Sequence, residues 1–248
     1  MTGVARPWGI SKACSISCSA FCRVDARCGT LDARELRRPL HTYVIKEYAI
    51  VIKEYAMSWQ KPQSYVGVAE YLESEQDSPV RHEYVDGQMY AMAGASDRHN
   101  RIALNLASRL NDHLNGGPCE VFIADIKVMV DPVVYYYPDV VVTCDPPGGD
   151  PYVRTQPHLI IEVVSPSTER TDRHEKLFAY QRVPSLQEYV LVLQDRMQVE
   201  VYRRQREGEW TREIFAQPED HVHFASVGFT WRVSDIYRNV RWSESATD

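Results

Sequence analysis

The chain has 248 residues, of which 44% are hydrophobic and 25% charged, the make-up of an ordinary soluble globular protein with one good-sized core. No apolar run approaches the ~18 residues needed to cross a bilayer, and the opening stretch lacks the continuous apolar segment of a secretory signal. A membrane partner is therefore not expected, and the cytoplasm is the expected location. Residues 1–56 hold nine of the 28 Lys and Arg and five of the 34 Asp and Glu, which leaves 19 basic against 29 acidic residues in the body. Such a body does not attract phosphate backbones at long range. A nucleic-acid site would have to be a local basic patch, for which Arg98, Arg101, Arg109, Arg170, Arg173, Lys176 and Arg182 are the candidates.

Residues 1–56 read as an appendage. Val44-Ile-Lys-Glu-Tyr-Ala-Ile50 recurs almost letter for letter as Val51-Ile-Lys-Glu-Tyr-Ala-Met57. A seven-residue unit is far too short for a solenoid repeat, which needs tens of residues. The expectation is a poorly ordered extension ahead of a natural start at Met57. Cys14, Cys18, Cys22 and Cys28 fall in this stretch, but their spacing matches neither paired zinc ligands nor the common ferredoxin pattern. Cys119 and Cys144 each stand alone beside apolar runs, as small hydrophobes do, and a reducing compartment suits all six.

The body, residues 57–248, opens with a helix over 64–75, where Val66, Ala69, Tyr71 and Leu72 recur at helical spacing. His82 to Met92 alternates about Asp86-Gly87, a strong hairpin signal. From 96 to 114, Ile102, Leu106, Leu110 and Leu114 mark an amphipathic helix that Gly116-Gly117-Pro118 ends. Strands are predicted over 119–130, 138–143, 159–165 and 188–193, with a helix over 171–182 stopped by Pro184. A hairpin, 198–203 with 210–215 about Glu207-Gly208, extends the sheet. His221 and His223 alternate in what reads as a polar loop; they, like His82, His158 and His174, are taken as structural. The class is α/β, a mixed sheet flanked by helices with additional β-hairpins.

Within that frame the chemistry concentrates on two acids. Tyr137-Pro138-Asp139-Val140-Val141-Val142 is followed 23 positions later by Glu162 inside Leu159-Ile160-Ile161-Glu162-Val163-Val164-Ser165. A carboxylate inside an apolar strand is costly to bury unless a cation or strong hydrogen bonds receive it. Two on neighbouring strands suit a hard divalent ion, which takes oxygen ligands and commonly serves phosphate chemistry. The plainer alternatives are a strand-end carboxylate capping a turn for Asp139 and a buried acid bonded to an amide or an arginine for Glu162.

These motifs, together with Asp172-Arg-His-Glu-Lys176-Leu and Leu186-Gln-Glu-Tyr189-Val-Leu-Val, closely resemble the Uma2 (DUF820) family of the PD-(D/E)xK restriction-endonuclease-like superfamily. The resemblance runs from about Trp59 to Trp242. It implies a restriction-endonuclease-like core in which Asp139, Glu162 and the backbone carbonyl of Val163 bind Mg²⁺ or Mn²⁺. The usual lysine two residues after the glutamate is absent: Val164 stands there. Lys176 is the expected substitute, with Asp172 and Tyr180 on the same helix face; its alternative is an ordinary ion pair with Asp172. Lys127 is a rival, because Asp125 and Lys127 would share one face of the preceding strand. Glu83 adds a third carboxylate, and His99 a nitrogen ligand or proton-transfer group, if the hairpin and helix start converge on the strand ends; otherwise they are a solvent-facing and a helix-start residue.

The implied activity is metal-assisted hydrolysis of a nucleic-acid phosphodiester, with DNA as partner. Related nucleases often act as homodimers, although no interface is legible here. Two other readings stay open: a nucleic-acid-binding or interaction module that kept the fold and lost the chemistry, and a metal-dependent hydrolase of a small phosphate ester. Serine-hydrolase, Walker and dinucleotide motifs are absent.

Overall fold

The computed structural model describes residues 65–144 and 149–242. The extension, its tandem repeat, its four cysteines and the expected start at Met57 lie outside the described residues, as do residues 145–148 of the loop before β7.

Helix α1 (Val68–Asp77) leads into the hairpin β1 (His82–Val85) and β2 (Gln88–Ala91). Asp86 and Gly87 have φ of 44° and 86°, the pair of positive values that a tight type I′ turn demands. A Cβ at Gly87 would collide with the Tyr65 ring. Helix α2 (Asp97–Leu114) starts where Ser96 Oγ accepts the His99 amide at 3.1 Å, and it buries Ile102, Leu106 and Leu110.

The stretch predicted as one strand over 119–130 is two. β3 (Glu120–Ile123) and β4 (Lys127–Asp131) belong to different sheets, separated by a turn in which Ala124 takes φ 30°. Periodicity alone does not reveal such a break, because the apolar alternation resumes beyond it. Two short strands were also not anticipated, β5 (Val134–Tyr136) and β7 (Val153–Arg154).

β6 (Val140–Thr143), β8 (Pro157–Val164), β9 (Glu188–Leu193), β10 (Val199–Arg204) and β11 (Trp210–Phe215) form with β3 a six-stranded sheet ordered β11-β10-β9-β8-β6-β3. β8 and β9 are parallel and the other pairs antiparallel. The first hairpin joins a second sheet, ordered β2-β1-β5-β4-β7. β12 (His221–Phe224) pairs with β13 (Phe229–Arg232), so the histidine-bearing loop of the sequence reading is a strand instead. Helix α4 (Val233–Ile236) follows.

The central strands are covered on both faces, which is why they read as unbroken apolar runs. Leu159, Ile161 and Val163 of β8 pack in a core with α2, whereas Ile160 and Val164 pack in a second core with Leu177 and Tyr180. The helix expected over 171–182 begins as a π-helix, Thr171–Lys176, and continues as α3 (Leu177–Gln181). Single π turns are a recurrent feature of functional sites.

Cys119 and Cys144 are joined in a disulfide, which corrects the reading of two separate reduced thiols. Antiparallel register explains it. Glu120 pairs with Thr143, so the next positions outward face each other although 25 residues separate them in sequence. Among the described residues no helix is long and apolar enough to cross a membrane.

Candidate functional site

Asp139 immediately precedes β6, and Glu162 lies within β8. Val140 pairs with Ile161, so one step along the antiparallel ladder sets Asp139 opposite Glu162. The Asp139 amide donates to Glu162 Oε2 at 3.3 Å, and Asp139 Oδ2 accepts the Val163 amide at 2.7 Å. Side-chain alternation puts Glu162 on the same face as Ile160 and Val164, under the helical segment that carries Lys176.

Lys176 reaches into this pair. Its Nζ stands 2.8 Å from Glu83 Oε1, 3.1 Å from Glu162 Oε1 and 3.6 Å from Asp172 Oδ1. Glu83 comes from β1 of the second sheet and also accepts the Tyr137 amide at 3.4 Å. The Tyr180 hydroxyl donates to Glu162 Oε1 at 3.4 Å, and the Tyr136 ring lies 5.5 Å from the ammonium. His99, in the first turn of α2, completes the group with Nε2 3.2 Å from Asp139 Oδ2. The structure thus brings together Glu83, His99, Asp139, Glu162, Asp172 and Lys176.

Lys127 is separated from them, which corrects the rival lysine. The break between β3 and β4 carries it into the second sheet, where Nζ donates to the Tyr137 hydroxyl at 3.2 Å. That hydroxyl donates in turn to Glu75 Oε2 at 2.8 Å, and Glu75 Oε1 meets His82 Nδ1 at 2.7 Å. Burial lowers the Lys127 pKa, with Glu75 and Asp150 acting against it. Tyr136, Tyr137 and the Val163 amide had no place in the sequence-based site. Their one signal was the tyrosine run leading into Pro138-Asp139.

Charge is unbalanced in the cluster. Four carboxylates face one lysine and one histidine, with Glu162 4% and Lys176 7% exposed. Burial pushes the Glu162 carboxyl well above its ordinary pKa; Lys176 pulls it down, and Asp139, Asp172 and Glu83 push it further up. Asp172 is raised for the same reasons, with a Thr168 hydrogen bond opposing. Burial alone would depress Lys176, but Glu162, Glu83 and Asp172 outweigh it and hold its pKa well above the usual value. His99 is likewise lowered by burial but raised on balance by Asp139, Asp172 and the Val163 backbone.

An all-oxygen pair with surplus negative charge fits a hard divalent cation, for which one or two carboxylates with waters suffice. Among the described residues no three His, Cys, Asp or Glu side chains form a ready-made metal cage. Asp139 and Glu162 are the opposed pair of acids that such an ion would need.

The Uma2 family model, described as "Putative restriction endonuclease", matches residues 68–234. Uncharacterized protein slr1290 of Synechocystis sp. is 39% identical over 173 residues, spanning 69% of this chain and 90% of the relative. Uncharacterized protein sll1609 of the same organism is 34% identical over 146 residues, spanning 57% and 82%. The crystal structure of "a putative nuclease belonging to DUF820" from Anabaena variabilis shares the fold, with a TM-score of 0.59 at 19% identity over 69% of this chain and 97% of that one. The likeness is one of fold, mixed sheets flanked by helices. With two-thirds of its length inside the family match, the chain belongs to the Uma2 family.

Proposed function

We propose that the chain is a Mg²⁺- or Mn²⁺-dependent endonuclease that hydrolyses phosphodiester bonds in DNA. The observation that carries this reading is the meeting of Glu83, Asp139, Glu162 and Lys176, drawn from four separate elements, around one buried point. Asp139, Glu162 and the Val163 carbonyl would hold the ion. When bound, it would polarise a non-bridging phosphate oxygen and lower the pKa of an attacking water.

The chain's own groups do the rest. Glu83 and Asp172 hold the Lys176 ammonium charged and in place beside Glu162. From there it orients the water or neutralises charge developing as the phosphorus–oxygen bond breaks. His99 and the Val163 amide fix the Asp139 carboxylate. No covalent intermediate is required.

Full-length protein is tested on supercoiled, linear and single-stranded DNA with Mg²⁺ or Mn²⁺ and with EDTA, alongside a metal titration. Metal-dependent cleavage that Asp139→Ala abolishes is the expected result. Absence of metal binding, with Asp139→Ala indistinguishable from wild type, overturns the reading in favour of a binding module. Turnover confined to a small phosphate ester assigns the hydrolase alternative.

A further inference from the structure

Most basic side chains of the body are committed internally. Arg173 grips Glu200 with two bonds of 2.7 and 2.8 Å and also meets Glu169. Arg203 is held by Glu188 and Glu213, Arg212 by Glu200, and Arg109 stands 3.9 Å from Asp112. Arg204 spends its donors on the carbonyls of Gln181, Val183 and Leu186, and Lys176 is locked in the carboxylate cluster.

Several arginines among the described residues escape this pattern, and three of them converge. A groove of about 690 Å³ is lined by Asp97, Arg98, Arg101, Asn239, Val240 and Arg241. None of the ion pairs among the described residues uses Arg98, Arg101 or Arg241. The one acid in the lining is partly satisfied, since Asp97 Oδ1 accepts the Arg98 amide at 2.7 Å.

The fold builds this groove. Asn105 Nδ2 donates to the carbonyls of Ile236 and Arg238 at 2.9 and 2.8 Å, which pins the turn after α4 against α2. Asn239 then takes φ 63°, and Val240 packs against the core, so Arg241 is carried to the arginines of α2. The positive end of the 18-residue helix adds to the field of the guanidinium groups. Arg98 precedes His99, whose ring meets Asp139, so the groove and the carboxylate cluster both draw on the first turn of α2.

We infer that this groove is a track for the phosphodiester backbone of a nucleic-acid strand, with Arg98, Arg101 and Arg241 each pairing with phosphate oxygens. Guanidinium groups suit phosphate because their planar fork donates two parallel hydrogen bonds. Three of them, on two elements, favour a chain of successive phosphates over a single small anion. The inference deepens the proposed nuclease function and rests on it for the identity of the strand, but its test is separate.

Full-length wild type, Arg98→Gln/Arg101→Gln/Arg241→Gln and Asp139→Asn are compared for binding a labelled single- and double-stranded oligonucleotide in EDTA, by anisotropy across a salt series. Circular dichroism confirms that each variant is folded. Loss of three phosphate contacts should raise Kd about tenfold or more and reduce the slope of log K against log salt by about 2 to 3, while Asp139→Asn keeps the wild-type slope. An unchanged slope in the triple variant overturns the groove. So does wild type that binds no oligonucleotide, or an arginine-dependent affinity for poly-glutamate that exceeds the one for DNA. Arginine-dependent binding without cleavage in any metal would leave the groove standing and sink the nuclease; cleavage with an unaffected triple variant would do the reverse.

Discussion

Lys176 Nζ lies 3.1 Å from Glu162 Oε1 across a separation of 14 residues, while the position two residues beyond Glu162 is filled by the buried Val164. Lys176 ends the π turn over Thr171–Lys176 and lies against the sheet face that Glu162 and Val164 share. On the proposed reading, the cation that the superfamily resemblance places on the strand comes from the helix above it.

Lys176→Met should lower DNA cleavage by at least about a hundredfold and destabilise the protein by about 3–5 kcal/mol, because it strands buried carboxylates without their cation. Lys127→Met should leave cleavage within about threefold of wild type, since its ammonium is bonded to Tyr137 away from the two acids. Cleavage rates and guanidinium denaturation of both variants decide between the two lysines. Equal losses would contradict the assignment of Lys176.

Stability should fall as pH rises in the absence of divalent metal. Glu162 has its folded pKa raised, so the folded state binds the extra proton, and that advantage disappears as pH climbs above the ordinary carboxylate range through the folded value. Asp172 and His99 are raised and act with the same sign. Glu200 is the opposite case: burial raises its pKa, but Arg173, Gln198 and Arg212 bring it below normal, so its contribution is lost only on acidification below that range. Melting temperatures in EDTA between about pH 5 and 8 should decline more steeply for wild type than for Glu162→Gln, and saturating Mg²⁺ or Mn²⁺ should flatten the wild-type curve.

His99→Gln should reduce metal affinity or cleavage by roughly 10- to 100-fold while leaving the fold intact. Groups that hydrogen-bond a metal ligand typically have effects of this size, and His99 Nε2 holds Asp139 Oδ2 at 3.2 Å. Isothermal titration with Mn²⁺ checks the affinity directly, and an unaltered isotherm with unaltered rates would show that the contact is incidental.

Asn105→Ala should cost about 1–3 kcal/mol, since it leaves the carbonyls of Ile236 and Arg238 without their shared donor. The turn carrying Arg241 would loosen with it, so oligonucleotide affinity should weaken less than in the triple arginine variant. Denaturation and anisotropy measured on the same preparation separate the two effects.

Local pattern was enough for several elements. The Asp86-Gly87 hairpin, the helix stripe Ile102, Leu106 and Leu110, and the strand at Glu188–Leu193 appear where period and turn chemistry put them. It failed where the same pattern serves two structures: the alternation through 119–130 hid a change of sheet, and the His221 strand was too polar on one face to be told from a loop. For the site, Asp139 and Glu162 were legible because a carboxylate embedded in valine and isoleucine has few physical explanations.

The α/β class, the two acids and the lack of a strand lysine at position 164 follow from residue type and short-range period alone. That Glu83, His99 and Lys176 join those acids while Lys127 bonds elsewhere, that Cys119 meets Cys144, and that Arg241 lies beside Arg98 and Arg101 emerges from the folded chain. Those relationships depend on strand register, on which sheet a strand enters and on where a helix docks, and such long-range pairings are selected by burial of the whole core, so no short window of residues encodes them.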